Sequence, residues 1–150
     1  MKKFVIFLSF CIFIIMFAAV FLPFRPTITV KNESSERLYL HFDEIKHDVE
    51  PTPEEVDRIV KSKSDIVEPG ATFKLTTSFS SLMISGIELN IGWLTGGKYS
   101  YNAIGGGGQN FIITSKQGEC SFSLTVRDGY NNYVLNSQKG RFCTMKLSPL

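Results

Sequence analysis

Two imidazoles and a carboxylate are the first residues that could do chemistry. His41, Asp43 and His47 fall close together in His41-Phe-Asp-Glu-Ile-Lys-His47-Asp48. If a strand runs through this segment, all three emerge on the face opposite Leu40 and Phe42. Such a donor set suits a borderline cation such as zinc or copper. The histidines are six positions apart, however, or roughly 20 Å along a straight strand. They can share an ion only if the chain bends between them. Otherwise they are solvated residues on an outer sheet face.

The second candidate is a glycine–tyrosine segment. Between Gly96 and Gly108, Gly96, Gly97, Gly105, Gly106, Gly107 and Gly108 enclose Tyr99 and Tyr101. No Lys-Ser/Thr follows the tetraglycine, and Thr95-Gly-Gly-Lys98 lacks P-loop spacing, so phosphate cradling is a poor account. The tetraglycine reads instead as the tip of a hairpin. A loop of this composition offers aromatic contact area at small entropic cost, which suits recognition of a partner.

Catalytic sets are missing. Serines are frequent, but no Gly-x-Ser-x-Gly occurs and neither histidine has a recognisable nucleophile partner. The acids Glu54, Glu55 and Asp57 belong to a helix start, not to acid–base chemistry. The sequence carries no cofactor signature, and it reads as that of a non-enzymatic protein.

Cys120 and Cys143 are expected to form a disulfide, because they are the only cysteine pair outside the N-terminal apolar run. Alternation places Cys120 with Phe122, Leu124 and Val126, and Cys143 with Met145 and Leu147 on a strand over 141–147. Both sulfurs then face the apolar side. Asn32-Glu-Ser34 matches a glycosylation acceptor, a reading that applies only in a eukaryotic secretory route.

Period-two alternation sets the elements that must position these residues. Ile28/Val30, Leu38/Leu40/Phe42, Phe73/Leu75, Ile87/Leu89/Ile91/Trp93, Tyr99/Tyr101 and Phe111/Ile113 each alternate with polar residues, Tyr39 and His41 among them. Turn signals separate them, including Glu68-Pro-Gly70, Asp128-Gly129 and Gln138-Lys-Gly140. One helix interrupts the strands: Thr52-Pro-Glu-Glu55 reads as a capping box with proline at the first position, followed by Val56, Ile59 and Val60 as an apolar stripe. The expected fold is all-β, a small antiparallel β-sandwich with immunoglobulin-like architecture but without that family's cysteine–tryptophan spacing.

The N-terminus specifies a location. Phe4 to Leu22 is nineteen residues without a charge, preceded by Lys2-Lys3 and followed by Pro23-Phe24-Arg25. A helix of that length measures about 28 Å, close to bilayer hydrocarbon thickness. Cleavage as a signal after Ala19 would place bulky Phe17 at the −3 position, where a small residue is needed. Residues 1–25 are therefore expected to be an uncleaved transmembrane anchor and 26–150 one exported domain. The flanking lysines favour a cytoplasmic N-terminus in the inner membrane and a periplasmic or otherwise extracytoplasmic domain.

Charge excludes one class of partner. The anchor region supplies +3 of the overall +2, and no basic cluster is interleaved with aromatics, so nucleic acid is not expected. Within the exported part, 26–68 is net −5 and 69–150 is net +4. The expected activity is protein–protein contact, as an envelope accessory or an inhibitor or immunity-type protein. The alternatives are a ligand- or metal-binding module, then a hydrolase.

Overall fold

A computed structural model describes residues 2–21, 25–84, 86–139 and 142–150. Pro23 and Phe24 after the apolar run, Gly140 of one expected turn and Arg141 of one expected strand lie outside the described residues. The chain begins with helix α1 (Lys2–Phe21). Among the described residues, no helix is long and apolar enough to cross a membrane. The described side chains of α1 stop at Phe17, whereas the uncharged run continues to Leu22.

Two sheets follow. In chain order the elements are β1 (Thr27–Asn32), β2 (Leu38–Lys46), α2 (Pro53–Lys61), β3 (Asp65–Val67), β4 (Thr72–Thr76), α3 (Phe79–Met83), β5 (Ile87–Thr95), β6 (Gly105–Thr114), β7 (Ser121–Val126), β8 (Tyr133–Ser137) and β9 (Lys146–Pro149). One sheet has the order β4-β1-β7-β8 and the other β3-β2-β5-β6-β9. The architecture is the expected sandwich.

The sheets are not wholly antiparallel, because β1 and β7 pair in parallel. Successive strands reverse direction from β1 through β7, so any two odd-numbered strands that become neighbours must run the same way. Parallel pairing therefore follows from inserting β7 beside the first strand.

Alternation places the core as read. Ile28, Val30, Leu38, Leu40, Leu89, Ile91, Trp93, Phe111, Leu124, Val126 and Leu147 are all buried between the sheets. The rings of Phe111 and Phe122 meet across the gap at 5.2 Å. Tyr39 departs from the pattern: it is buried, and its hydroxyl donates to the Gly97 carbonyl at 3.1 Å. The β5–β6 loop folds over it.

Both ends of the sandwich are tied. Cys120, just before β7, and Cys143, ahead of β9, form a disulfide with Cα atoms 5.6 Å apart. The bond joins the two sheets at the end where the chain enters from α1. Cys143 does not lie on a strand as expected, since β9 starts only at Lys146, but it is buried as the alternation requires. At the other end Asn32 does comparable work. Its amide donates to the Glu36 and Val67 carbonyls (2.8 and 2.9 Å), and its side-chain oxygen accepts from the Ser34 amide and hydroxyl. Because Asn32 is wholly buried with both amide hydrogens engaged, the glycosylation reading fails in the folded domain.

Helix α2 forms with its capping box intact. The Glu55 amide donates to Thr52 Oγ1 at 3.3 Å, and the Thr52 amide donates to Glu55 Oε2 at 2.8 Å. The apolar stripe does not dock as a core element, for α2 buries no residue. Helix α3 went unanticipated. Ser78 caps it, and Glu44 accepts from the Ser78 amide (2.7 Å) and from the Ser78 and Ser81 hydroxyls.

Two stability measurements test this frame. Replacing Cys120 and Cys143 by serine reopens a loop of about 24 residues and is expected to cost roughly 3 kcal/mol, read by urea unfolding with and without reductant. Asn32→Ala strands the buried Val67 carbonyl and the Ser34 amide and removes a donor from the Glu36 carbonyl, and about 3 kcal/mol should be lost in the same assay. A cost below about 1 kcal/mol would mean that Asn32 does not hold the sheets together.

Candidate functional site

Most exposed aromatic area of the sandwich gathers at the end away from α1. The β5–β6 connection begins at Gly96 and Gly97, both with positive φ (79° and 77°). A Cβ on Gly97 would stand 2.4 Å from Asn102 Oδ1 and 2.5 Å from the Asn102 carbonyl, so glycine is required there. Beyond it, Ser100–Asn102 forms a single 3-10 turn, closed by the Tyr99 amide donating to Asn102 Oδ1 at 2.8 Å. The expected strand at Tyr99/Tyr101 is absent. Instead the two rings stack at 5.3 Å with planes 9° apart, and Lys98 Nζ lies 5.3 Å from the Tyr99 ring centre.

The tetraglycine is not a hairpin tip either. Gly105, Gly106, Gly107 and Gly108 form the first part of β6, paired in register with Thr95, Leu94, Trp93 and Gly92. Close approach explains the residue type. A Cβ on Gly107 would reach 2.6 Å from Trp93 Cζ2 and 2.4 Å from Asn131 Oδ1. Alternation carries no signal where side chains are missing, so the sequence pattern could not mark this strand.

Asn131 seals the free edge of the glycine strand. Its backbone amide donates to the Gly106 carbonyl at 2.8 Å, and its side-chain oxygen accepts from the Gly108 amide at 3.1 Å. Asn131 adopts φ 46° to do this, a conformation that asparagine tolerates better than most residues. The β7–β8 turn is itself held, because Asp128 accepts from the Ser35 amide and hydroxyl, both at 2.8 Å. Those bonds depress the Asp128 pKa, the Ser35 backbone amide contributing most.

On this fixed base three large side chains stand out. Tyr101 is 83% exposed, Ile104 88% and Tyr130 87%. A cavity of about 270 Å³ opens between Ile104 and Tyr130, with Glu36, Thr95 and Asp128 among its walls. Sequence reasoning found Tyr99, Tyr101 and the glycines. It missed Ile104, Tyr130 and Asn131, for which the only signal was the Asp128-Gly129 turn. The arrangement presents apolar and aromatic surface with acids at its margin, which suits binding.

The chain matches no protein-family model and no curated protein.

The histidine–aspartate set lies elsewhere. His41 and Asp43 sit on the outer face of β2, opposite Gly92 and Asn90 of β5. His47 lies beyond the strand end, with Nδ1 at 2.7 Å from Glu88 Oε2 and Nε2 at 3.3 Å from Asp48 Oδ2. Among the described residues no group of three or more His, Cys, Asp or Glu side chains could hold a metal ion. His47 is an ion-pair partner. The hydrogen bond that the imidazole donates to Glu88 raises its pKa most, the Asp48 and Glu88 charges add to this, and desolvation opposes them.

A sign for pH dependence follows. Because the folded pKa of His47 lies above the unfolded one, its stabilisation is complete below the ordinary value of 6.5. It is lost as pH rises through the folded pKa. In Glu88→Gln, the His47 midpoint followed by NMR should fall, and the loss of stability across that window should shrink. An unchanged midpoint would show that Glu88 does not hold the imidazole.

Proposed function

We propose that this chain is a single-pass, membrane-anchored protein whose extracytoplasmic sandwich acts by protein–protein contact, as an accessory or inhibitory component of a cell envelope. The observation that carries this reading is the rim of Tyr101, Ile104 and Tyr130, exposed on elements that the backbone immobilises. Interface anchors are typically large aromatic and apolar side chains that lose little entropy on binding because their supports are already rigid. The flanking Glu36 and Asp128 would serve as a polar margin.

The anchor is supported by the uncharged run Phe4–Leu22 and its basic N-terminal flank. Polarity supports the division of labour. The chain leaves α1 and enters β1 at Thr27, which pairs with Thr76 and Ser121 at one end of the sandwich. The rim lies at the other end, beyond Thr95 and Gly105. Strand β5 spans nine residues, so about 26 Å separates the two ends. A domain tethered at one end would offer its aromatic rim to partners away from the lipid.

Capture from detergent extracts of the native membrane tests this reading. The wild-type chain should recover a reproducible protein, and Tyr101→Ala/Tyr130→Ala should lower recovery by at least about tenfold. Thermal stability should barely move, because both side chains are exposed. Equal recovery by the double variant, or no reproducible partner, would overturn it.

A further inference from the structure

The tethered end has an unpartnered apolar surface of its own, and the chain path determines what faces it. Arg25 Nη1 donates to the Thr77 carbonyl at 3.2 Å, and the Thr77 amide donates to the Pro26 carbonyl at 3.3 Å. The Arg25 guanidinium lies 4.4 Å over the Phe79 ring. Phe79 opens α3, and α3 exposes Phe79 (64%) and Met83 (89%), with Ile84 following directly at 43%. Only Leu82 of this segment packs against the core. Helix α3 itself is fixed to β2 through Glu44 and the Ser78 and Ser81 hydroxyls.

Tether length does the rest. Helix α1 ends at Phe21, and four Cα steps to Arg25 reach at most about 15 Å. If α1 spans a bilayer, Arg25 and the ring beneath it stay within about 15 Å of the hydrocarbon edge, so a headgroup layer about 5–8 Å deep is within their reach. From this, and resting on the anchor proposed above, we infer that Phe79, Met83 and Ile84 insert into the interface of the membrane that holds α1. They form a second contact that fixes the tilt of the sandwich.

Charge agrees with a lipid occupant. Lys46 pairs with Ile87 at this end of the five-stranded sheet, and Lys146 pairs with Thr114. With Arg25 they place cations where phosphates would lie. Of the nearby acids, Glu88 and Asp48 are engaged by His47, and Glu44 by the serines of α3. Glu119, whose backbone is bonded to Leu147, and Glu55, whose pKa the Thr52 amide lowers most and Lys46 helps to lower, are the other acids near these cations. An apolar wedge with cations at the same end of the sandwich is the side-chain pattern of interfacial membrane contact.

The test uses the full chain in nanodiscs of zwitterionic and anionic phospholipid, with and without bromine on the upper acyl chain. Trp93 is the only native tryptophan and is buried in the core, so wild-type emission should be insensitive to bromine. Phe79→Trp should add a blue-shifted emission that bromolipid reduces by at least roughly half, as expected for an indole at acyl-chain depth. Met83→Trp repeats the measurement should Phe79→Trp disturb α3. Water-like, unquenched emission from both variants, in a chain that resists alkaline carbonate extraction, overturns this inference and leaves the anchor standing. Quenching that appears only in self-associated chains also overturns it. Release by carbonate overturns the anchor and the wedge together.

Discussion

Strand β1 carries the organisation of this domain, because one short segment is bound on both sides and at both ends. It pairs with β4 and β7 over most of its length, its first amide donates to the Cys120 carbonyl, and its last residue is the buried Asn32. Every other element is placed relative to that strand. The disulfide joins the sheets where β1 begins, and the Asn32 carboxamide joins them where it ends. A polar side chain in so dry a position would cost several kcal/mol if unpaired. Here its amide hydrogens and its oxygen all find partners, so the group specifies the register of the loops without that penalty.

The glycine half of β6 raises a different problem, since a strand without side chains has little to hold it. Glycine loses more conformational entropy on ordering than any other residue, and it contributes no packing. Two features offset this. On one side, β5 supplies a full ladder from Thr95 to Ile87. On the other, Asn131 satisfies Gly106 and Gly108 with its backbone and its side chain. An open strand edge would be a template for unwanted pairing. Asparagine in a left-handed conformation closes it with one residue, and the same turn lifts Tyr130 into solvent. Protection of the edge and presentation of the rim therefore have a common cause.

The core was legible in the sequence because apolar and polar residue types alternate along β1, β2, β5 and β7, and most of the apolar ones form the core. The α2 cap was legible for the same reason, since threonine, proline and glutamate at that spacing have few other uses. What escaped had no local signature. Gly105 to Gly108 cannot alternate. Tyr99 and Tyr101 do alternate, yet their rings stack on one side because Asn102 closes a tight turn between them. Helix α3 is five residues long, far too short to stand on propensity. It persists because Glu44, thirty-four positions earlier than Ser78, supplies its N-terminal acceptors. The parallel β1–β7 pair is a property of connection order, which no single strand's sequence contains.

Charge separation between the two halves of the chain does not work as complementary surfaces. Most ion pairs stay within one segment, as in Lys31–Glu33, Arg37–Glu68 and Lys61–Asp57. Among the described residues only Arg127–Glu33 and His47–Glu88 cross from the acidic part to the basic part. These are exposed or half-exposed contacts, each worth little to stability. Their effect is better sought in what they leave at each end of the sandwich. Near the rim, Lys31, Arg37 and Arg127 are already matched by glutamates, so aromatic and apolar contact would dominate recognition there. Near α1 the matching is reversed, for His47 and the serines of α3 occupy carboxylates while Lys46 stays exposed. One sandwich thereby presents two chemically different ends, and the direction of β1 decides which of them faces α1.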